Sequence, residues 1–485
     1  MKRLSRVSAG IVVVLLCSMW IAQCTQAAKE IPITTSSEEA LSLYLEGKAL
    51  AEKSRFNEAR EKYNLALEKD PDMAIAYLYR GYASETGDEY IRHIDKAASL
   101  ADKVSEGEKL LILAIQARHN GDDTKANDMF ERLAALYPSD KTVFNEMGLN
   151  YWSQNDFEKS VEAYKTAIDI DPEYPDPYNM LGYAYSRLGK YDEAESALKT
   201  YAELIPDESN PWDSYGEILM KQGKFDESIA AYQKAIDLDP QFAIAYRGVC
   251  MNKVFKGQAD EGRKELVKLN EAAQTDGDRY TALHVEALSY LCEGDYKNAL
   301  RAKQKCLQMA EKQNDVLGKA NDLFNMADIY LLMDKPDQAQ KSLDGVAMVM
   351  KNSDHSEKFK KEWLQWVHYT QTEIALKKQD LEQAKAAADL FRQAAEQDED
   401  ANEIKAAFEL DGMIALHENR YDDAIAAFEQ TNQQNPRNFC GLAQAYMKKG
   451  DKAKAQEYWE KAAHFNDMSW NYARIRAKAM KMVQG

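Results

Sequence analysis

With 485 residues, 45% of them hydrophobic, and 62 basic against 80 acidic side chains, the chain can bury a core along its whole length and carries a formal charge of −18. That balance excludes intrinsic disorder and makes polyanions, nucleic acid and anionic lipid alike, poor partners. Length alone suggests about three globular domains, but a repeat array escapes that prior, because each unit contacts only its neighbours and the core grows lengthwise.

The first stretch stands apart. Lys2, Arg3 and Arg6 precede an apolar run from Ile11 to Ala22, and a short polar region, QCTQAAKE, follows. This is the layout of a bacterial export signal, too short for a comfortable membrane span. Two processing routes stand side by side. Thr25-Gln26-Ala27 sets small residues three and one before a cut after Ala27, which gives a soluble periplasmic protein. Ile21-Ala22-Gln23-Cys24 resembles a lipoprotein box, with Cys24 as the lipidation candidate and lipid anchor to the outer membrane, although Gln23 departs from the Gly, Ala or Ser usual there. Residues 1–27 are therefore expected to be an export signal and 28–39 a linker.

From residue 40 the chain repeats itself. AIDIDP begins at Ala167 and AIDLDP at Ala235, two periods of a 34-residue repeat apart, and ALEKDPDMAIAY begins at Ala66. In the unit from Pro175, Tyr178, Leu181, Tyr185 and Leu188 fall at helical spacing. Gly189 stops that helix. Asp192 and Glu193 open a second one, in the first turn where the helix dipole favours acids. Ala194, Leu198 and Tyr201 form its apolar stripe, and Pro206 ends it. Gly182 and Ala194 are expected to face each other where the two helices touch. Each unit thus reads as helix, tight turn, helix, tight turn, with the Asp-Pro pair as the hinge to the next.

These residues resemble the tetratricopeptide repeat, whose 34-residue pattern runs W-x2-L-G-x2-Y, then A-x3-F, then A and P. Gly182, Tyr185, Ala194 and Pro206 match it in one unit, and Gly47, Ala59, Tyr63, Ala66 and Pro71 in the first. The resemblance implies an all-α solenoid of about twelve helix-turn-helix repeats forming a superhelix. Units are expected near 40, 74, 107, 141, 175, 209, 243, 280, 320, 365, 405 and 436. A regular solenoid would fill 40–276. A more divergent one would fill 277–485, where the spacing stretches around GDRYTAL and DHSEKFKKEWLQWVHY. MSWNYARIRAKAMKMVQG reads as a capping helix, its Arg474, Lys478 and Lys481 as cations near a helix C-terminus.

No catalytic constellation is present: no P-loop, no GxSxG, no GxGxxG and no HExxH. The seven histidines are scattered, and Cys250, Cys292, Cys306 and Cys440 have neither CxxC nor metal-ligand spacing. No cofactor, no metal and no enzyme activity are expected. The four cysteines read as small buried residues.

What the resemblance implies instead is a binding surface. In this family the first helix of each unit lines a concave face, and peptide ligands lie there. The inward positions hold Asn145 and Trp152 in one unit and Asn179, Tyr183 and Arg187 in the next. Asp213 and Glu217 follow, then Arg247. Asparagine can bond a peptide backbone and arginine can grip a carboxylate. The family's carboxylate clamp is incomplete here. The expectation is a non-catalytic scaffold for protein partners in the cell envelope; the alternative is an assembly component acting through self-association or its convex face.

Overall fold

The computed structural model describes residues 30–84, 87–273, 275–398 and 400–484. The expected export signal, with the lipidation candidate Cys24, lies outside the described residues. The chain divides into two compact units, one ending at Pro211 and the other beginning at Trp212. Among the described residues it forms 25 α-helices, one 3-10 turn and no strand.

The first unit holds α1 (Glu38–Ala51), α2 (Phe56–Lys69), α3 (Ala74–Tyr82), α4 (Gly87–Ser99), α5 (Glu106–His119), α6 (Asp123–Leu136), α7 (Lys141–Ser153), α8 (Phe157–Ile170), α9 (Asp176–Arg187) and α10 (Tyr191–Leu204). From α11 (Ser209–Lys221) follow α12 (Phe225–Leu238), α13 (Ala243–Phe255), α14 (Ala259–Ala272), α15 (Asp276–Glu293), α16 (Tyr296–Gln313), α17 (Val316–Leu332) and α18 (Pro336–Lys351). Then come α19 (Glu357–Lys377), α20 (Leu381–Gln397), α21 (Ala401–His417), α22 (Tyr421–Glu429), α23 (Pro436–Lys449), α24 (Lys452–Ala463) and α25 (Trp470–Gln484). The helices up to α24 make twelve antiparallel pairs, an all-α solenoid of repeats. Their starts follow the expected register from 74 to 243. The first helices α15, α17, α19 and α21 start earlier than expected and are longer, 18 residues in α15 and 21 in α19, and α23 returns to the expected start at 436. The stretched spacing is helix, not loop.

The turn within a pair recurs with the repeat. Asn155, Gly189, Gly223 and Gly257 hold one position in four successive pairs, with φ of 59°, 72°, 76° and 80°. This left-handed corner costs glycine nothing and asparagine little. The hinge between pairs has its own chemistry. Asp70, Asp171 and Asp239 leave α2, α8 and α12 in extended backbone and accept the amide two residues on, from Asp72, Glu173 and Gln241. The proline between has no amide to satisfy.

Close packing explains the glycines inside helices. A Cβ on Gly148 would meet the Tyr164 ring at 2.4 Å, and one on Gly248 the Tyr232 ring at 2.3 Å. Tyr164 and Tyr232, on second helices, thus seat on bare patches of first helix. At Gly182 the room is taken by Leu198, 2.4 Å from its ideal Cβ. The position of Ala194 meets the same glycine in neighbouring repeats, where the Ser160 and Ser228 hydroxyls donate to the carbonyls of Gly148 and Gly216 at 2.9 and 2.6 Å.

In the first unit, first helices meet in succession: α3 with α5, α5 with α7, α7 with α9. Their shared face is filled by this unit itself. Tyr44, Tyr79 and Tyr82 make an edge-to-face ladder with centroids 5.6 and 5.9 Å apart. The pairs come round far enough that the Ser54 and Tyr201 hydroxyls lie 3.0 Å apart. Residues 30–37 form an extended strap across three repeats: the Ile31 amide donates to Asp140 at 2.9 Å, Thr34 to Glu108 at 2.8 Å and Ser36 to Asp70 at 2.8 Å.

In the second unit α25 does more than cap. It packs on α24, as a cap does, and also on α15, α23 and α17. Arg476 donates to the Phe255 carbonyl at 3.1 Å and the Cys292 carbonyl at 3.3 Å, closing the C-terminal ends of α13 and α15. Cations belong there, where helix carbonyls lack intrahelical partners. Arg474 and Arg476 are each only 9% exposed, so these are buried first-helix contacts and not solvated charges of a helix end.

Candidate binding sites on the first-helix faces

The five residues singled out in the first unit lie on α7 and α9. Asn145 is 6% exposed, and its Oδ1 has no hydrogen-bond partner; the same holds for Asn179 Oδ1 one repeat on. Trp152 meets Phe157 edge-on at 5.1 Å, and the exposed Arg187 guanidinium lies 5.9 Å from the Trp152 ring. Tyr183 is half-buried. Trp152 and Arg187 therefore form one polar-aromatic contact, worth about 0.5–1 kcal/mol at an exposed site.

Asp213, Glu217 and Arg247 lie in the second unit and act on one another. Burial pushes the Asp213 carboxyl up to about 7, the nearby Glu217 charge adds to this, and Arg247 opposes it. Asp213 Oδ1 and Arg247 Nε are buried without hydrogen-bond partners. Glu217 pairs with Lys221 at 3.2 Å. Further along, Lys303 and Asp322 form an ion pair with both side chains 0% exposed. Tyr280 donates to Asp322 at 2.8 Å, and Lys303 Nζ lies 3.2 Å from His284 Nδ1. Burial, helped by Lys303 and Arg247, pushes His284 down to about 3. The four cysteines are free and buried, and burial pushes each thiol up to about 12, so they are weak nucleophiles. Among the described residues no group of His, Cys, Asp and Glu is arranged to hold a metal ion. No described helix is long and apolar enough to cross a membrane.

One concavity was not anticipated from the sequence. A cavity of about 990 Å³ opens on the face shared by α17, α19, α21 and α23, with α25 at one side. Its floor is a buried charge cluster. Arg437 donates to Glu373 at 2.7 Å, and its Nε lies 3.3 Å from Glu409 Oε1 without a well-directed hydrogen bond. Arg474 reaches Asp328 at 3.1 Å and Glu373 at 3.3 Å. Asn435 donates to Glu409, and the Trp470 indole to Asp328. Burial pushes the Glu373 carboxyl up, but Arg437 and Arg474 outweigh it and hold it below the usual carboxylate range. For Glu409 and Asp328 burial wins, and both are raised. Two guanidiniums thus serve three carboxyls.

The walls of the cavity are aromatic. Trp366, 39% exposed, stands edge-on to Phe391 at 5.2 Å and lies 5.5 Å from Tyr369, while Trp363 leans on Phe324. Trp363 and Trp366 belong to the first half of α19, Trp363 just ahead of the unit start at 365 that the repeat register implies and Trp366 just after it. The extra turns that stretched the spacing build this wall. The signal was in the sequence: Trp363, Trp366, Thr370 and Glu373 recur at three and four residues, a helical stripe of mixed polarity that no core face requires.

Four models of the tetratricopeptide repeat match the chain, at 148–194 and 216–248, at 44–104 and 372–438, at 436–463, and at 110–140, together more than half of it. No curated protein matches. Among solved structures, MamA is 22% identical, covering 34% of this chain and 91% of its own at a TM-score of 0.32. MamA from Desulfovibrio magneticus RS-1 is 17% identical, covering 34% and 94%, again at 0.32. YrrB, described as a TPR protein with an unusual peptide-binding site, is 18% identical and covers 46% and 96% at 0.30. At these identities the likeness concerns the fold alone.

Proposed function

We propose that this chain, a tetratricopeptide-repeat protein, is a non-catalytic scaffold of the bacterial cell envelope that binds segments of partner proteins on its first-helix faces. One observation carries the reading: the cavity of the second unit is preformed, walled by tryptophans, and floored by buried polar groups held in place by their own ion pairs. Preorganised sites of this size, at the upper end of the roughly 300–1,000 Å³ typical of ligand pockets, lower the entropic cost of binding. The envelope placement is supported by Lys2, Arg3 and Arg6 ahead of the apolar run. It leaves Cys24 as the lipid anchor or Ala27 as the end of a cleaved signal. Asn145, Trp152, Asn179, Tyr183 and Arg187 would form a second, shallower contact surface in the first unit.

The test is an array of random dodecapeptides probed with the mature chain, its Trp366→Ala variant, and its Asn179→Ala/Arg187→Ala variant. A set of peptides is expected to bind the parent and to lose at least tenfold in affinity on Trp366→Ala, with helical content unchanged. Binding by no peptide of the array would overturn the scaffold reading.

A further inference from the structure

We infer that the cavity of the second unit takes a cationic side chain, an arginine in particular, presented by a segment of a partner protein. This rests on the scaffold reading above and adds the chemistry of what is bound. The field comes first. Seven carboxyl groups line the cavity against Lys405, Arg437 and Arg474. The two arginines are already committed to Glu373, Asp328 and Glu409. They do not offer a spare fork to an anion.

The hydrogen-bonding inventory agrees. Four buried oxygens at the cavity have no hydrogen-bond partner: Gln365 Oε1, Glu373 Oε2, Glu409 Oε1 and Asn438 Oδ1. Gln365, Glu409 and Asn438 are 3%, 3% and 1% exposed. All four are acceptors, and none of the buried unpartnered nitrogens belongs to a cavity residue. A buried acceptor left without a donor costs about 1–3 kcal/mol, so a ligand that supplies donors recovers what the empty site forgoes. A hydroxyl or amide would satisfy some of these oxygens. Only a cation also answers the third carboxyl on a floor with two guanidiniums, and it restores charge balance where the dielectric is low.

The aromatic wall selects among cations. Trp366 presents part of its indole at the mouth, with Trp363 and Tyr369 nearby. A guanidinium stacks on such faces, sheds water more readily than an ammonium and places five donors in one plane. A lysine would serve the charge but not the plane. The nearest competing source of the same chemistry is a free polyamine, which lacks the planar fork.

The experiment uses the full mature chain and three dye-labelled peptides read by fluorescence anisotropy: Gly-Ser-Arg-Ser-Gly, the same with lysine, and the same with citrulline, which keeps the planar shape and loses the charge. The arginine peptide is expected to bind at least tenfold tighter than the citrulline peptide and severalfold tighter than the lysine one, and spermidine is expected to compete only weakly. Glu409→Gln should abolish the preference for charge. Because Glu409 is part of the buried cluster, Glu403→Gln on the rim, bonded to Gln365 and Trp366 and outside the arginine cluster, and Trp366→Ala serve as second variants. Each should weaken the arginine peptide about three- to tenfold in a chain with unchanged circular dichroism. Equal binding of arginine and citrulline peptides, or affinity unmoved by all three variants, overturns the inference. So does spermidine binding tighter than the arginine peptide. If the dodecapeptide array yields binders without basic residues, the cation inference fails and the scaffold reading stands; if it yields none, the scaffold reading fails first.

Discussion

The two units are built from the same helix pair and use its inner face in opposite ways. In the first unit the stretch of that face at α1 and α3 is consumed by the fold. Tyr44, Tyr79 and Tyr82 stack across it, and Glu146 is answered by both Arg118 at 3.0 Å and the Tyr82 hydroxyl at 2.9 Å. In the second unit one stretch of face is covered by α25 and the next holds a cavity whose carboxyls outnumber their arginines. The difference teaches that the repeat pattern specifies how helices meet within a pair and says little about the face that pairs present. That face is decided by residues the pattern leaves free, and by whatever segment follows or precedes the array.

The comparison breaks most sharply at α25. A chain ending after Met468 loses Arg474 and strands Asp328 and Glu373, and removing one member of a buried ion cluster costs about 3–5 kcal/mol. Losing the buried Tyr472 and Arg476 adds to that. Hydrogen exchange is expected to rise throughout α13, α15 and α17 and to stay unchanged in α1–α9. Equal loosening of both units would show that the division is not one of stability.

The matching perturbation in the first unit is at the strap. Asp70→Ala with Asp140→Ala removes the acceptors for Ser36 and Ile31. Both acids also bond their own chain, Asp70 at the hinge to Asp72 and Asp140 at the cap on Thr142; with hydrogen bonds to charged groups contributing about 1.5–3 kcal/mol each, the pair of changes should cost at least about 3 kcal/mol, read as faster exchange in α1, α7 and the hinge between α2 and α3. Unchanged protection there would mean that the strap is an ornament of the fold.

The smallest effect sharpens the comparison by pH. His284 is held near 3 in the folded second unit against about 6.5 unfolded. A depressed pKa contributes stability that is full above 6.5 and drains as pH falls toward 3, because the unfolded chain takes up the proton first. Thermal melts between pH 7 and 4 should therefore show the second unit softening by a few degrees, and His284→Gln should flatten that slope. An unaltered slope in the variant would assign the pH dependence to other groups.

How much of this was legible follows from which residues carry period. Glycine, tyrosine, alanine and the Asp-Pro hinge recur because helix packing and turn geometry demand them every repeat, so pair count and register could be read directly. Leu198, which fills the room that Gly182 leaves, was not picked out as its neighbour, because spacing locates a contact only to within one turn and the lean of a helical side chain decides the rest. The cavity was missed for a different reason. Its acids, Asp328, Glu373 and Glu409, come from three repeats and its Arg474 from beyond them, and no local spacing joins them. Only the stretched register around Trp363 and Trp366 pointed there. The inner-face residues of the first unit were picked by position alone, on α7 and α9, and position does not show that Tyr44 and Tyr79 fill the same face at α1 and α3.

The grip of Arg476 on the carbonyls of Phe255 and Cys292 has a temporal side. Those carbonyls are translated 221 and 184 residues before the side chain that closes them. Until α25 leaves the ribosome, α13 and α15 have an uncovered inner face and unsatisfied ends. The second unit is thus completed from α25 backwards, and a chain still being made carries that unit unlocked.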